Sequence, residues 1–239
     1  MSTSILVFAV WPYVALTVFI IGHVWRWRRD QLGWTSRTSQ LLERRWLRLA
    51  SPLFHVGALA VVLGHVVGIL VPARLTAAIC VSEDACHATA VTVGLLAGAC
   101  MAAGLVILVI RRVVHHQRLR LVTTRLDWVV YGLLVLVVAL GVCATVGQNV
   151  AAGGYDYRET VSVWFRSLFV ANPDVELMAS APALYQVHVA VAFCFVALWP
   201  FTRLVHVWSV PVGYLVRPYV VYRAAGASPR AAVSRAPWA

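Results

Sequence analysis

The sequence contains no lysine: all 20 of its cationic side chains are arginines. Acids are scarce too, nine among 239 residues, and charged residues make up only 12% of the chain. Beside 61% hydrophobic residues and a mean hydropathy of +0.80, so little charge excludes an ordinary soluble domain. The five cysteines, Cys80, Cys86, Cys100, Cys143 and Cys194, form no Cys-x-x-Cys or Cys-x-x-Cys-His spacing. That excludes a zinc knuckle and a covalently attached c-type haem. Only Cys80 and Cys86 fall together in one loop, as a disulfide or as two free thiols. Internal repeats and low-complexity segments are also missing.

What the chain has instead is long apolar runs. A bilayer core of about 30 Å needs about 20 apolar residues per helix. Five stretches qualify: Ile5–Trp25, Ala50–Pro72, His87–Ile110, Asp127–Val146 and Ala183–Val207. The expected fold is an all-α integral membrane protein with five transmembrane helices, a single membrane domain over residues 1–239 with a tail from 208 onward. Seventeen of the arginines fall after the first and third spans or in the tail and the end of the fifth span, and only Arg74, Arg158 and Arg166 on the other side. The positive-inside rule then sets the N-terminus outside and the C-terminus and tail in the cytoplasm. The net charge of +11 follows from this asymmetry, so no nucleic-acid partner is called for. The basic inner face suits anionic membrane lipid. The first span has no basic n-region and no small-residue cleavage site, which argues against a cleavable signal.

Two of these spans carry histidines, and an ionisable side chain inside a bilayer needs a partner. The second span holds His55 and His65, ten residues or about 15 Å apart along a helix, with Gly57, Gly64 and Gly68 beside them. The fifth holds His188 and His206, 18 residues or about 27 Å apart on one face, with Pro200 between them. These spans run in opposite directions. His55 therefore meets His206 at the inner level, and His65 meets His188 at the outer level. Two opposed imidazoles suit the axial positions of a b-type haem, and leave no open iron position for oxygen. The small residues leave room for a flat macrocycle. Unequal spacings require tilt, the Pro200 kink or turned side chains to bring both pairs into register. A zinc or copper site would want three or four ligands per cluster. Four hydrogen-bonded core histidines are the plainer alternative. His23, His115 and His116 read as interfacial or solvated.

Outside the histidines, Asp127 at the start of the fourth span complements that helix's dipole, and the span itself reads as packing. In the long outer loop, Val161, Trp164, Phe165, Leu168 and Phe169 recur every three to four residues. That predicts an amphipathic surface helix with Arg158, Glu159 and Arg166 toward water.

Three segments carry a family resemblance. Ala50-Ser51-Pro52-Leu53-Phe54-His55-Val56-Gly57 with Gly64-His65-Val66-Val67-Gly68 resembles the second helix of the respiratory nitrate reductase gamma subunit, a cytochrome b membrane anchor. Trp199-Pro200-Phe201-Thr202-Arg203-Leu204-Val205-His206 and its continuation to Leu215 are similar to the end of that family's last helix, and Asn172-Pro173-Asp174-Val175-Glu176-Leu177-Met178 to the segment before it. The resemblance implies two b-type haems stacked between the second and fifth helices. His55 and His206 would hold the cytoplasmic-side haem, His65 and His188 the outer one. Gly64 and His65 would border a pocket for quinol, either ubiquinol or menaquinol. Some members carry a lysine for quinol at the outer end of the third helix. Here Ala85 stands in its place, and His87, two residues on, takes the quinol contact. Arg111, Arg112 and Arg203 are the candidates for the haem propionates. The implied role is quinol oxidation, with electrons delivered to a cytoplasmic iron–sulfur beta subunit and then to a molybdenum-containing alpha subunit that reduces nitrate. The implied location is the cytoplasmic membrane of a prokaryote. A di-haem anchor of a sulfur-cycle or heterodisulfide reductase, and a haem-free anchor or transporter subunit, are the alternatives. The lack of inverted repeats weighs against a transporter.

Overall fold

The structure, a computed structural model, describes residues 3–34, 39, 42–78, 83–119, 122–151 and 153–209, apart from the side chains of 32, 77, 83–87, 116, 118, 149, 150 and 209. The chain to Val207 forms one compact unit. A second begins at Trp208, of which only Trp208 and Ser209 are described. The rest of the expected tail, Cys80 and the side chains of Cys86, His87 and His116 lie outside the described residues. The other three cysteines are free thiols.

The described residues are helical, with no strand among them. In chain order the main helices are α1 (Thr3–Arg29), α2 (Arg45–Leu70), α3 (Glu83–Val114), α4 (Arg125–Gln148), the short α5 (Val161–Val170) and α6 (Ala183–Phe201). All but α5 are long and apolar enough to cross a bilayer. Only 11–22% of each crossing stretch is buried within the chain, and residues such as Ile20, Leu59 and Leu96 stand at least 60% exposed. Apolar faces on that scale need lipid around them, so the chain is a multi-pass membrane protein. Trp25, Trp27, Trp46 and Trp128 stand exposed near span ends, as an interfacial belt does.

Local chemistry accounts for the helix ends. Pro12 lies at the second position of a regular helix, and the preceding turn, Leu6–Val10, is a wide π turn. That turn accommodates the missing N–H and the ring. Helix α2 begins at Arg45, five residues before the expected start, which puts Pro52 inside the helix rather than in its first turn. Helix α4 opens on a reciprocal capping box between Thr124 and Asp127.

Helices α2 and α3 pack closest. A Cβ on Gly57 would stand 2.4 Å from the Met101 nitrogen, and one on Gly104 would stand 2.5 Å from the Phe54 nitrogen. The two backbones touch there, as small residues permit in membranes. Helix α6 packs against α4 and α1. One end of the bundle is rich in arginine: Arg26, Arg111, Arg112 and Arg203 gather there, bonded to the loops and helix ends around them.

The opposite end is closed by α5, which differs from the expected surface helix. Most of its apolar face, Val161, Trp164 and Leu168, meets protein rather than lipid, while Phe169 stays 67% exposed. Trp164 is fully buried with Phe8, Ala15, Leu168, Met178 and Phe193, and its Nε1–H donates to the Phe8 carbonyl at 2.9 Å. The arginines do not point only at water. Arg166 donates to the Ile69 carbonyl at 2.8 Å, Arg158 to the Val71 carbonyl at 3.1 Å, and Ser162 to the Gly68 carbonyl at 3.0 Å. The end of α2 leaves carbonyls without intrahelical partners, and these side chains satisfy them.

Candidate functional site

The four histidines singled out in the sequence come together as two pairs, each joining α2 to the α6 segment. The rings of His55 and His206 lie 6.1 Å apart, centroid to centroid, and those of His65 and His188 lie 6.3 Å apart. The first pair stands at 73° between ring planes, the second at 30°. Each pair faces across a gap rather than touching.

Backbone carbonyls fix three of the four rings. Nδ1 of His55 donates to the Ser51 carbonyl at 2.7 Å, Nδ1 of His65 to Val61 at 2.8 Å, and Nδ1 of His206 to Arg203 at 2.6 Å. A proton held at Nδ1 leaves the Nε2 lone pair free, the tautomer a metal ligand requires. His188 differs. Its buried Nδ1 makes no hydrogen bond of good geometry, with the Val137 carbonyl alongside. Packing holds it instead: a Cβ on Gly141 of α4 would come within 3.1 Å of its Cε1.

The expected five-turn helix from His188 to His206 is broken. Regular α structure ends at Leu198, a tight 3-10 turn covers Trp199–Phe201, and Thr202 is extended at φ −110° and ψ 179°. A second tight turn, Arg203–Ser209, then carries His206. Pro200 has no N–H to continue the helix. The break turns His206 off the α6 axis, so the unequal spacings on the two helices do not prevent both pairs from forming.

Around the pairs, the three glycines on α2 have three different settings. Nothing lies within 4 Å of where a Cβ on Gly64 would be, so the face beside His65 is open. Gly57 is taken up by the contact with α3, and at Gly68 a Cβ would meet the Tyr157 hydroxyl at 2.7 Å. The three candidate arginines gather at the arginine-rich end. Arg111, 2% exposed, pairs with the Glu43 carboxylate and also donates to the Glu43 carbonyl at 2.7 Å. Arg203 pairs with Asp127 at 2.7 Å and donates to the Val122 carbonyl. Arg112 donates to the hydroxyls of Thr123 and Tyr131, and no carboxylate among the described residues neutralises it. His23 lies away from both pairs, its ring tilted at 55° to that of Phe19 with centroids 4.2 Å apart.

Three supporting residues were not legible as such in the sequence. Gly141 gave no signal, since one glycine in an apolar helix has many explanations. Asp127 was visible only as a favourable helix start, yet it also anchors Arg203, so α4 does more than pack. Arg26 looked like one of many topology-setting arginines.

Among the described residues no three His, Cys, Asp or Glu side chains converge on one point. Each pair thus offers two nitrogen ligands from opposite sides and no more. Residues 4–225 match the family model of the nitrate reductase gamma subunit. The chain belongs to that family. It is 45% identical to the nitrate reductase gamma chain of Bacillus subtilis, over 93% of this chain and 99% of that one. It is 32% identical to the respiratory nitrate reductase 1 gamma chain of Escherichia coli, over 91% and 96%. The nitrate reductase-like protein NarX of Mycobacterium tuberculosis is 48% identical over 91% of this chain, which spans only 33% of that longer protein. The stretch matched to the family includes all four paired histidines.

Proposed function

We propose that this gamma chain oxidises membrane quinol and carries the electrons across the bilayer, through two b-type haems, to an iron–sulfur subunit and on to a molybdenum subunit that reduces nitrate. The observation that carries the reading is the pair of opposed histidines at each of two levels. Imidazole–metal bonds of about 2 Å on both sides would set ring centroids roughly 6 Å apart, and the rings stand at 6.1 and 6.3 Å. The residues fit a haem in two further respects. Three Nδ1–H groups are tied to carbonyls, leaving Nε2 free as a ligand. The open face at Gly64 leaves space for a flat group beside His65.

His55 and His206 would hold the haem at the arginine-rich, cytoplasmic end, and His65 and His188 the one at the outer end. A bound haem supplies one-electron redox chemistry with no open coordination position. The protein's own part is to fix ligand orientation, keep water out and receive quinol. Helix α5 closes the outer end through Trp164 and through Arg158 and Arg166, which donate to carbonyls at the end of α2. Gly64 and His65 border the quinol pocket, with His87 as the contact for the quinol hydroxyl. Of the three arginines, Arg112 is the one whose charge is unneutralised, and it is assigned the propionate contact ahead of Arg111 and Arg203.

The test is a reduced-minus-oxidised optical spectrum of the purified full chain, followed by addition of a quinol analogue. A b-type signal that grows on quinol addition supports the reading. No b-type signal refutes it in favour of a haem-free anchor.

A further inference from the structure

Arg26, at the end of α1, has no part in the reading above, yet its charge is buried to 8% exposure. A cation that only sets topology stands in water. This guanidinium instead donates from Nη1 to the carbonyls of Pro200 and Thr202, both at 2.7 Å, and from Nη2 to the Gly33 carbonyl at 2.9 Å. Asp30 lies 3.7 Å from its Nε.

The first two of those carbonyls flank the break in α6. Where a helix stops, its last carbonyls lose their intrahelical partners, and a bilayer offers no water to replace them. One guanidinium, with several donors in a rigid fork, satisfies two at once. The next residue after Thr202 is Arg203, whose carbonyl accepts from His206 Nδ1. Hydrogen bonds and two peptide units therefore link Arg26 to the imidazole of His206. Gly22, one turn earlier on α1, completes the seat. A Cβ there would stand 2.8 Å from Pro200 Cβ, so the proline ring rests on bare backbone.

We propose that Arg26 is a positioning residue for His206. It holds the broken end of α6 in the conformation that brings His206 opposite His55. Because the same guanidinium holds Gly33, it also ties that histidine pair to the first arginine-rich loop. The proposal rests on reading His55 and His206 as haem ligands.

The experiment uses the full chain in its membrane complex, comparing Arg26→Gln, Arg26→Lys and Gly22→Ala with the parent. Electron paramagnetic resonance reads the low-spin signal of each haem, and a redox titration reads each midpoint. Disturbing a group that orients a metal ligand weakens retention by about 10–100-fold. Arg26 acts through two peptide units, so Arg26→Gln should weaken retention of the His55–His206 haem about tenfold, shift its signal, and leave the other unchanged. Arg26→Lys, which keeps the charge but not the fork, should fall between. Gly22→Ala should move the same signal with no change of charge. Two unchanged signals in Arg26→Gln would overturn the proposal. So would equal loss of both haems in Arg26→Lys and Gly22→Ala, which marks a general folding role. If Arg26→Gln does not assemble, the other two variants decide. A parent with no haem signal would sink the ligand reading instead, a distinguishable failure.

Discussion

At the scale of single residues, His188 shows how a side chain can be placed without a hydrogen bond from its own helix. His55, His65 and His206 each take a carbonyl within four residues, whereas His188 is wedged by Gly141. Gly141→Val should therefore displace the His188 ring. About tenfold weaker retention of the haem proposed for the His65–His188 pair is expected, with the His55–His206 signal retained, read by quantitative haem spectroscopy. A second residue-scale prediction concerns Glu43. Burial pushes its carboxyl up, but the hydrogen bond and charge of Arg111 and the N–H groups of Trp46 and Arg45 outweigh that and hold it below 4.5. A carboxyl with a lowered folded pKa stabilises fully above its ordinary pKa, and the contribution is lost as pH falls through the folded value. Glu43→Gln should cost about 2–3 kcal/mol at pH 7 by leaving the Arg111 charge unpaired. The gap from the parent should close below pH 4.5, as thermal unfolding in detergent would show. The four histidines were legible in the sequence because an imidazole in an apolar run is costly and conspicuous. Arg26, Gly141 and the second role of Asp127 were not, since each acquires its role from a neighbour more than 40 residues away.

At the scale of elements, the five spans were legible because each needs only an unbroken apolar stretch of bilayer length. Their ends were less so. Arg45–Leu49 extends α2 although its arginines read as loop, and α6 stops before Thr202 although apolar residues continue to Val207. Pro200 announced a kink, but the extended Thr202 depends on Arg26 and Arg203 lying where the freed carbonyls and side chains can use them. Helix α5 is the sharper case. Its three-to-four residue spacing identified the helix correctly, yet periodicity does not say whether an apolar face meets lipid or protein. Trp164 settles that by being fully buried. Trp164→Ala should destabilise the α5 end of the bundle by about 3–5 kcal/mol. Trp164→Phe, which keeps most of the buried area and loses only the bond to the Phe8 carbonyl, should cost about 1 kcal/mol. Comparing the thermal midpoints of the two variants separates packing from hydrogen bonding. Equal losses would mean that the single hydrogen bond, not the core, holds α5 down.

At the scale of the whole molecule, α2 bears His55 and His65, α6 bears His188 and the turn after its break bears His206; α4 steadies that segment through Gly141 and Asp127, and α1 clasps the break through Gly22 and Arg26. Helix α3 holds α2 by direct backbone contact, and α5 closes one end. This division of labour makes the two histidine pairs separable, because each is held by different neighbours. The chain belongs to the nitrate reductase gamma subunit family, and the two-haem electron path proposed for it rests on the pairs themselves. The most direct test of that claim is the haem-to-chain ratio of the purified full chain, measured beside His188→Ala. Two b-type haems per chain are expected in the parent and one in the variant, with the His55–His206 signal intact. A parent ratio below two, or an unchanged ratio in His188→Ala, would contradict it.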